Sequence, residues 1–245
     1  MNESDSDVLS DPGATPGSST NERGVMKALL LDTETTGLDP SKGAKCIEVG
    51  LCLFDCTIGV PLINYSSLLR ADSNDAFYVN RIPVDALKDA AEPDKVWPFV
   101  HALAARADVI VAHRASFDRQ FVPELGKPWV CSKFDIKWPG KKSGEHLVHL
   151  ALAYGVGVVN AHRAMADVDM MTRIFMHVHE REQCGLIWLL RQAMRPKQRY
   201  VALVSYDNRQ LAKDNGFEWN AQTREWIGYL PPEDAASLPF SVRET

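Results

Sequence analysis

Four consecutive apolar residues, Ala28-Leu29-Leu30-Leu31, run without a break into Asp32-Thr33-Glu34. Neighbouring side chains of a strand point to opposite faces, so a run that is apolar at every position has to be covered on both sides. This segment therefore reads as a buried central strand, ended by polar residues and Gly37. At its end Asp32 and Glu34, two positions apart, project from the same face. Two carboxylates that close repel each other unless a cation sits between them.

Periodicity extends the pattern along the chain. Ile47, Val49, Leu51 and Leu53 alternate with Cys46, Glu48, Gly50 and Cys52, a period-two strand, and a third strand includes Ile63 to Leu69. The three form an antiparallel meander. From about Val84 the spacing becomes helical, with Val96, Phe99, Val100 and Leu103 three and four apart. Asp108 to Ala112 is another buried strand, Ser116 is a candidate N-cap for a helix through Phe117, Phe121 and Val122, and Trp129-Val130-Cys131 is a short last strand. Helical signals follow over about 145–154 and 163–181. The order β-β-β-α-β-α-β-α-α predicts an α/β fold, a mixed sheet flanked by helices.

Four segments are expected. Residues 1–24 carry almost no large apolar side chains and cannot offset the entropy of ordering, so they read as a disordered tail. Residues 25–182 form the main domain. Residues 183–199 contain Arg191, Arg195, Lys197 and Arg199 with no acid between Glu182 and Asp207, a basic connector. Residues 200–245 read as a small βαββ appendage: a strand over Tyr200–Tyr206, a helix over Asn208–Asp214 and a hairpin over Phe217–Tyr229. With 245 residues, 45% of them hydrophobic, the chain is long enough for one packed domain and such an appendage.

Net charge is -5, and five acids of the tail (Glu3, Asp5, Asp7, Asp11, Glu22) face only Arg23, which leaves the body nearly neutral. That excludes a protein held on a polyanion by bulk charge and allows one that grips it locally. Five cysteines (Cys46, Cys52, Cys56, Cys131, Cys184) without a C-x-x-C pair argue against a disulfide framework or a structural zinc site. No window approaches ~18 apolar residues and no basic-then-apolar leader is present. The expectation is a cytoplasmic protein with no membrane partner.

Three short segments concentrate chemistry-bearing residues. The first, Asp32-Thr33-Glu34-Thr35-Thr36-Gly37-Leu38, ends a strand in a hydroxyl- and glycine-rich turn whose side chains and N–H groups can meet a nucleotide's sugar or phosphate. The oxygen-only carboxylate pair suits Mg²⁺ or Mn²⁺ rather than Zn²⁺. In the second, His113-Arg114-Ala115-Ser116-Phe117-Asp118, a strand end passes into the first turn of a helix. Asp118 there either complements the helix dipole or faces the same cleft, while Phe117 and Phe121 point at core or substrate. The third, His162-Arg163-Ala164-Met165-Ala166-Asp167, sets an imidazole at the mouth of a helix and a carboxylate just over one turn inside it. Each alone has a plain structural explanation. His177-Val178-His179 with Cys184 offers ligand types without ligand geometry, since helix positions i and i+2 point apart, and His146 and His149 are helical neighbours at i,i+3 with no partner ligand evident, which reads as a solvated or packed face.

Order, spacing and residue types of the three segments resemble the motifs of DnaQ-like exonucleases of the DEDD superfamily, in the subgroup with His in H-x4-D, over about residues 26–181. Arg114 departs from the pattern, where many members have Asn. The resemblance implies a ribonuclease H-like fold and 3′–5′ exonuclease activity on single-stranded DNA or RNA 3′ ends, DNA favoured, releasing nucleoside 5′-monophosphates. It implies that Asp32, Glu34, Asp118 and Asp167 hold two Mg²⁺ or Mn²⁺ ions and that His162 takes the proton of the attacking water. Thr35, Thr36, Gly37, Leu38, Arg114 and Phe117 are the candidate substrate contacts. A DNA polymerase or repair complex is the expected protein partner, in proofreading or repair. The competing reading is a vestigial nuclease that serves as a binding module for nucleic acid or a polymerase. In the appendage Trp219 and Trp226, with Arg209 and Lys213, either fill a small core or offer a stacking platform.

Overall fold

The structure is a computed structural model and describes residues 25–141, 144–158, 162–182 and 185–245. Residues 1–24, read as a disordered tail, and Cys184 lie outside the described residues.

The apolar run lies in β1 (Lys27–Thr35), which pairs antiparallel with β2 (Cys46–Asp55), and β2 in turn with β3 (Val60–Leu68). Two short helices, α1 (Phe77–Asn80) and α2 (Val84–Lys88), lead to α3 (Pro93–Ala105). The chain continues through β4 (Val109–Ala112), the single turn α4 (Ala115–Asp118), β5 (Trp129–Cys131), α5 (Leu147–Ala153) and α6 (Ala164–Arg181). The five strands form one sheet in the order β3-β2-β1-β4-β5, with β4 parallel to β1 and β5 parallel to β4.

β1 is central and alternates between two cores. Ala28 and Leu30 pack with Phe54, Met171 and Phe175 beneath α6, whereas Leu29 and Leu31 pack on the other face with Val96, Val100 and Leu103 of α3. Each large side chain buried this way contributes roughly 1.5–3 kcal/mol.

Two local features differ from the expectation. β2 is buried on both faces, because α6 covers the face that carries Glu48, Gly50 and Cys52, while Cys46, beyond the register shift, packs into the core on the α3 side. Ser116 does not cap a helix: Arg114 occupies the N-cap without a side-chain bond, and the Ser116 carbonyl accepts from Gln120 (2.7 Å). The helix stops after one turn, and Pro123 disfavours helical backbone at Val122 just beyond it.

The stretch read as a basic connector contains α7 (Leu186–Ala193), whose Leu186, Leu189, Leu190 and Ala193 join the main core. Its cations are engaged structurally: Arg195 binds Asp234 (2.8 Å), Lys197 binds Asp135 (2.6 Å) and Arg199 lies 3.8 Å from Glu225.

The C-terminal unit runs β6 (Gln198–Ala202), α8 (Arg209–Asp214), β7 (Glu218–Asn220) and β8 (Glu225–Leu230), the βαββ order expected, then adds α9 (Pro232–Ala236) and β9 (Val242–Glu244). β9 pairs with β6 at the sheet edge and is too short to leave a periodic signal. Tyr200, Ala202, Ala212, Phe217 and Leu230 make a separate small core, against which Trp226 packs.

Candidate active site

At the end of β1, Asp32 stands opposite Gly50 and Glu34 opposite Glu48 of β2, and the register slips between Glu34 and Thr35. Such a bulge bends a strand and re-aims its side chains. α6 begins directly over β2. A Cβ on Gly50 would lie 2.6 Å from the Ala164 carbonyl carbon, so only glycine lets the helix start this close. Beside it Glu48, buried, accepts from the Ala164 N–H (3.1 Å) and from Nε and Nη2 of Arg163 (2.9 and 2.7 Å). A carboxylate on a neighbouring strand thus caps the N-terminus of the helix that carries Asp167.

The second segment is tied to β1 through Asp118, whose Oδ1 accepts from the Thr33 backbone N–H (3.0 Å) and hydroxyl (2.8 Å). The turn after β1 is held from both ends. The Thr35 hydroxyl donates to the Gly37 carbonyl (2.7 Å), and the Thr36 hydroxyl accepts from the Lys45 N–H (2.9 Å). Behind it buried Asn80 donates to the Thr35 carbonyl (3.1 Å), and Asn74 donates to Asn80 (2.8 Å) and to the Ile82 carbonyl (2.8 Å).

The result is one cleft of about 570 Å³ that gathers Asp32, Glu34, Asp118, His162 and Asp167. The candidate contacts Thr35, Thr36, Gly37, Leu38, Arg114 and Phe117 line the same cleft. Leu38 is 80% exposed, and the Arg114 guanidinium lies 5.8 Å from the centre of the Phe117 ring. His162, exposed at the rim, has a left-handed backbone (φ 69°), an uncommon conformation for a residue with a side chain that tends to occur at functional sites.

Burial is the largest influence on all four acids and pushes each upward. Asp32, which reaches the cleft with part of its surface but is otherwise surrounded by protein, lies well above the usual carboxylate range, raised further by Asp118, Asp167, Glu34 and Glu48. Glu34 is pushed up to about 8 by burial and then by Asp167, Glu48 and Asp118. Asp118 rises to about 7 through burial, although the Thr33 bonds favour its charged form. Asp167 rises to about 6, restrained by the His162 imidazole and backbone N–H.

A divalent cation fits this set. The donors are oxygens of mutually repelling carboxylates, and Oδ1 of Asp167 is buried without a hydrogen-bond partner. Among the described residues no three His, Cys, Asp or Glu side chains form a ready-made cage. The acids line an open cleft instead, which suits an ion that keeps water or substrate oxygens in its coordination shell.

Some residues of the cleft carried no recognisable signal. Asp75, Ala76 and Val79 arrive from the short α1 region, which has no periodicity to mark it. His113 also lines the cleft, with Nδ1 2.9 Å from the Ser132 hydroxyl and Nε2 3.0 Å from the Glu145 carbonyl. A carbonyl only accepts, so Nε2 carries the proton and Nδ1 accepts from Ser132. Burial pushes its pKa down to about 4, so it is a neutral brace between β4 and the loop before α5. Of the remaining histidines, His101 is exposed on α3 and the other four pack against neighbours. His146 packs against His149, His177 against Tyr154, and the His179 ring lies against Gly59.

The mixed sheet and its flanking helices are those of the ribonuclease H-like exonuclease fold, with a second antiparallel sheet appended. A family model described as "Exonuclease" matches residues 29–124, and a model for a domain of unknown function matches residues 198–245. The DNA polymerase III subunit epsilon of Treponema pallidum (strain Nichols) is 31% identical over 175 residues, covering 63% of this chain and 78% of that protein. Exodeoxyribonuclease 10 of Escherichia coli (strain K12) is 29% identical over 157 residues, 61% of this chain and 67% of that one. A solved structure of exonuclease X with 5′-overhanging duplex DNA superimposes with a TM-score of 0.54 at 24% identity, covering 68% of this chain and 99% of that one. The chain belongs to the DnaQ-like 3′–5′ exonuclease family and is a metal-dependent phosphodiester hydrolase. Among the described residues no helix is long and apolar enough to cross a membrane.

Proposed function

We propose that this protein trims single-stranded 3′ ends, DNA in preference to RNA, and releases nucleoside 5′-monophosphates. Asp32, Glu34, Asp118 and Asp167 hold two Mg²⁺ or Mn²⁺ ions, and His162 is the general base. The observation that carries this reading is the convergence of the five side chains on one cleft, with Oδ1 of Asp167 left without a partner. Bound ions would offset the carboxylate repulsion and stabilise the charge that develops on the phosphate oxygens.

The chain's own residues do the rest. The His162 imidazole at the rim takes the proton from the attacking water, and Asp167 beside it favours the imidazolium that results. The turn from Thr35 to Leu38 receives the terminal nucleotide, with Leu38 offering an apolar contact to the base and Arg114 a phosphate contact from its place over Phe117. The preference for DNA, and a role in repair or polymerase-linked proofreading, follow the names of the relatives rather than any contact to a 2′-position. Residues 25–182 together with α7 form the catalytic unit, and residues 200–245 an accessory unit. A cytoplasmic setting accords with four buried cysteines that remain free thiols.

The test uses 5′-labelled single-stranded DNA and RNA with Mg²⁺, Mn²⁺ or EDTA. Metal-dependent laddering from the 3′ end is expected, reduced about 10²–10⁴-fold by His162→Ala and abolished by Asp167→Ala. Equal degradation by wild type and Asp167→Ala would sink the assignment, including in favour of a vestigial binding module.

A further inference from the structure

The loop that leaves β6 and the turn between β7 and β8 border a hollow of about 400 Å³ at the end of the C-terminal sheet. Tyr206 lines it from the loop, Trp219 and Trp226 from the two strands, and Arg224 from the turn. Trp219 and Trp226 are directly opposed across β7 and β8, so their side chains share a face, and the rings lie 5.4 Å apart. Trp226 packs on the small core and backs Trp219, which stays 50% exposed, while Tyr206 is 77% exposed. Two cations lie against these rings: Cζ of Arg209 is 4.0 Å from the ring centre of Tyr206, and Nζ of Lys213 is 5.7 Å from that of Trp226. The one acid of the lining, Glu225, is held by Arg243 (2.9 Å) and Arg199 (3.8 Å). Among the described residues, Arg209, Lys213 and Arg224 join no ion pair. Arg224 also has a left-handed backbone (φ 56°), which glycine or asparagine would adopt with less strain.

We propose that this hollow is a second binding site for single-stranded nucleic acid, where bases of the substrate strand 5′ of the nucleotide being removed stack on Tyr206 and Trp219 and Arg224 meets a phosphate. This rests on the exonuclease reading given above. Exposed rings beside cations that have no acid of their own match a chain in which flat bases alternate with phosphates, and stacking holds such a chain without reading its sequence. Charge sorts the residues of the hollow. Arg243 is taken by Glu225 and stays structural, whereas Arg224 in the turn is left for the strand. Asp207, next to Tyr206 in the loop, does not line the hollow. The C-terminal unit stands on the α4 side of the cleft: Trp219 lines a groove together with Ser116 and Arg119, and Phe117 and Asp118 of the same turn line the cleft. A strand whose 3′ end is held in the cleft has only its 5′-ward chain left to place. A long strand that passes α4 reaches the hollow, and a dinucleotide ends before it.

The experiment compares the full-length protein with Tyr206→Ala/Arg224→Gln, two exposed positions outside the strands, the small core and the catalytic cleft. Binding of a fluorescent 20-nucleotide single strand is followed by anisotropy in EDTA over a range of salt, and hydrolysis of the same strand and of a dinucleotide is followed in Mg²⁺. The double variant should bind the 20-mer on the order of tenfold more weakly and raise its KM in step. Its slope of log affinity against log salt should shrink by about 0.7, the share of one phosphate contact on a single strand. Dinucleotide hydrolysis should stay unchanged. Trp219→Ala should weaken 20-mer binding as well, and Trp219→Phe should keep part of it. Unaltered 20-mer affinity and salt slope, the result expected if a protein partner covers the hollow instead, overturns the proposal, as do equal losses on both substrates. Failure of the exonuclease reading looks different: wild type hydrolyses neither substrate, while the anisotropy comparison still reports on the hollow.

Discussion

The carboxyl end of β1 and the C-terminal sheet treat charge in opposite ways. At β1 four acids converge, each raised by burial, and the nearby Arg163 is bound to Glu48. In the C-terminal unit Glu225 has Arg199 and Arg243, and Asp234 has Arg195. A fold neutralises charge where stability alone matters, so uncompensated buried acid marks the place where a ligand completes the structure. Two adjacent glutamates repeat the contrast on a smaller scale. Glu48 is clamped by Arg163, and Glu34, its partner across the strands, is not.

The strongest way to break the comparison is Asp32→Asn. It should lower activity by at least about 10²–10³-fold, as loss of a group that stabilises transition-state charge does. In EDTA, however, it should raise Tm by about 2–4 °C, since it removes a buried, repelled charge. The sign follows from linkage. Acids whose folded pKa is raised contribute stability that is fully present below their unfolded pKa near ~4 and is lost as pH rises through the folded values. For Asp167, Asp118 and Glu34 those values are about 6, 7 and 8. Metal-free wild type should therefore lose Tm from pH 5 to 8, and Mg²⁺ should restore most at pH 8. His113 works the other way: its lowered pKa of about 4 gives stability that is present above ~6.5 and lost on acidification. Thermal melts with and without Mg²⁺ at pH 5, 6.5 and 8 decide it. A metal-free Tm that rises to pH 8 and falls in Asp32→Asn would remove the contrast.

How much of this was legible in the sequence depends on whether a residue's role is local. β1 and its terminal acids announced themselves, because an apolar run and a D-x-E are contiguous. The other four strands of the first sheet followed from periodicity and short apolar runs. Glu48 was hidden, because its partner is 115 residues away and a period-two strand does not mark one of its positions as a helix anchor. Gly50 was hidden likewise, since a close helix approach leaves no trace in spacing. Ser116 misled, as a good capping type sits in a helix that ends after one turn. The cations read as a basic connector look like a nucleic-acid tether in one dimension, and in three dimensions Arg195, Lys197 and Arg199 pair with acids from other elements. The aromatic question divided: Trp226 packs on the core, and Trp219, across from it with ring centres 5.4 Å apart, stays half exposed.

A sharper test of the buried pair is Glu48→Ala. Removing one partner of an internal ion pair strands the other, but the Arg163 side chain is 45% exposed and can turn to water, so the loss should be about 2 kcal/mol rather than the larger cost of a fully enclosed pair. Glu48 also caps the start of α6, so kcat should fall about tenfold with KM little changed as His162 and Asp167 lose their common anchor. Glu48→Gln keeps an acceptor for the Ala164 N–H and should recover part of kcat. Loss of Tm with unaltered kcat would make Glu48 structural only.

The smallest effect belongs to the neutralised side. Arg243 lies 2.9 Å from Glu225, but the two side chains are 55% and 29% exposed, and Glu225 keeps Arg199 at 3.8 Å when Arg243 is removed. An ion pair that solvent reaches loses most of its Coulomb energy to screening and some to side-chain entropy. Arg243→Ala should therefore cost less than about 1 kcal/mol, a Tm change of a few degrees at most, and leave hydrolysis of every substrate unchanged. β9 itself survives the change, because its backbone pairing with β6 over Val242–Glu244 does not involve the guanidinium. A larger loss, or any change in single-strand affinity, would mean that the C-terminal sheet's charges serve the substrate as well as the fold.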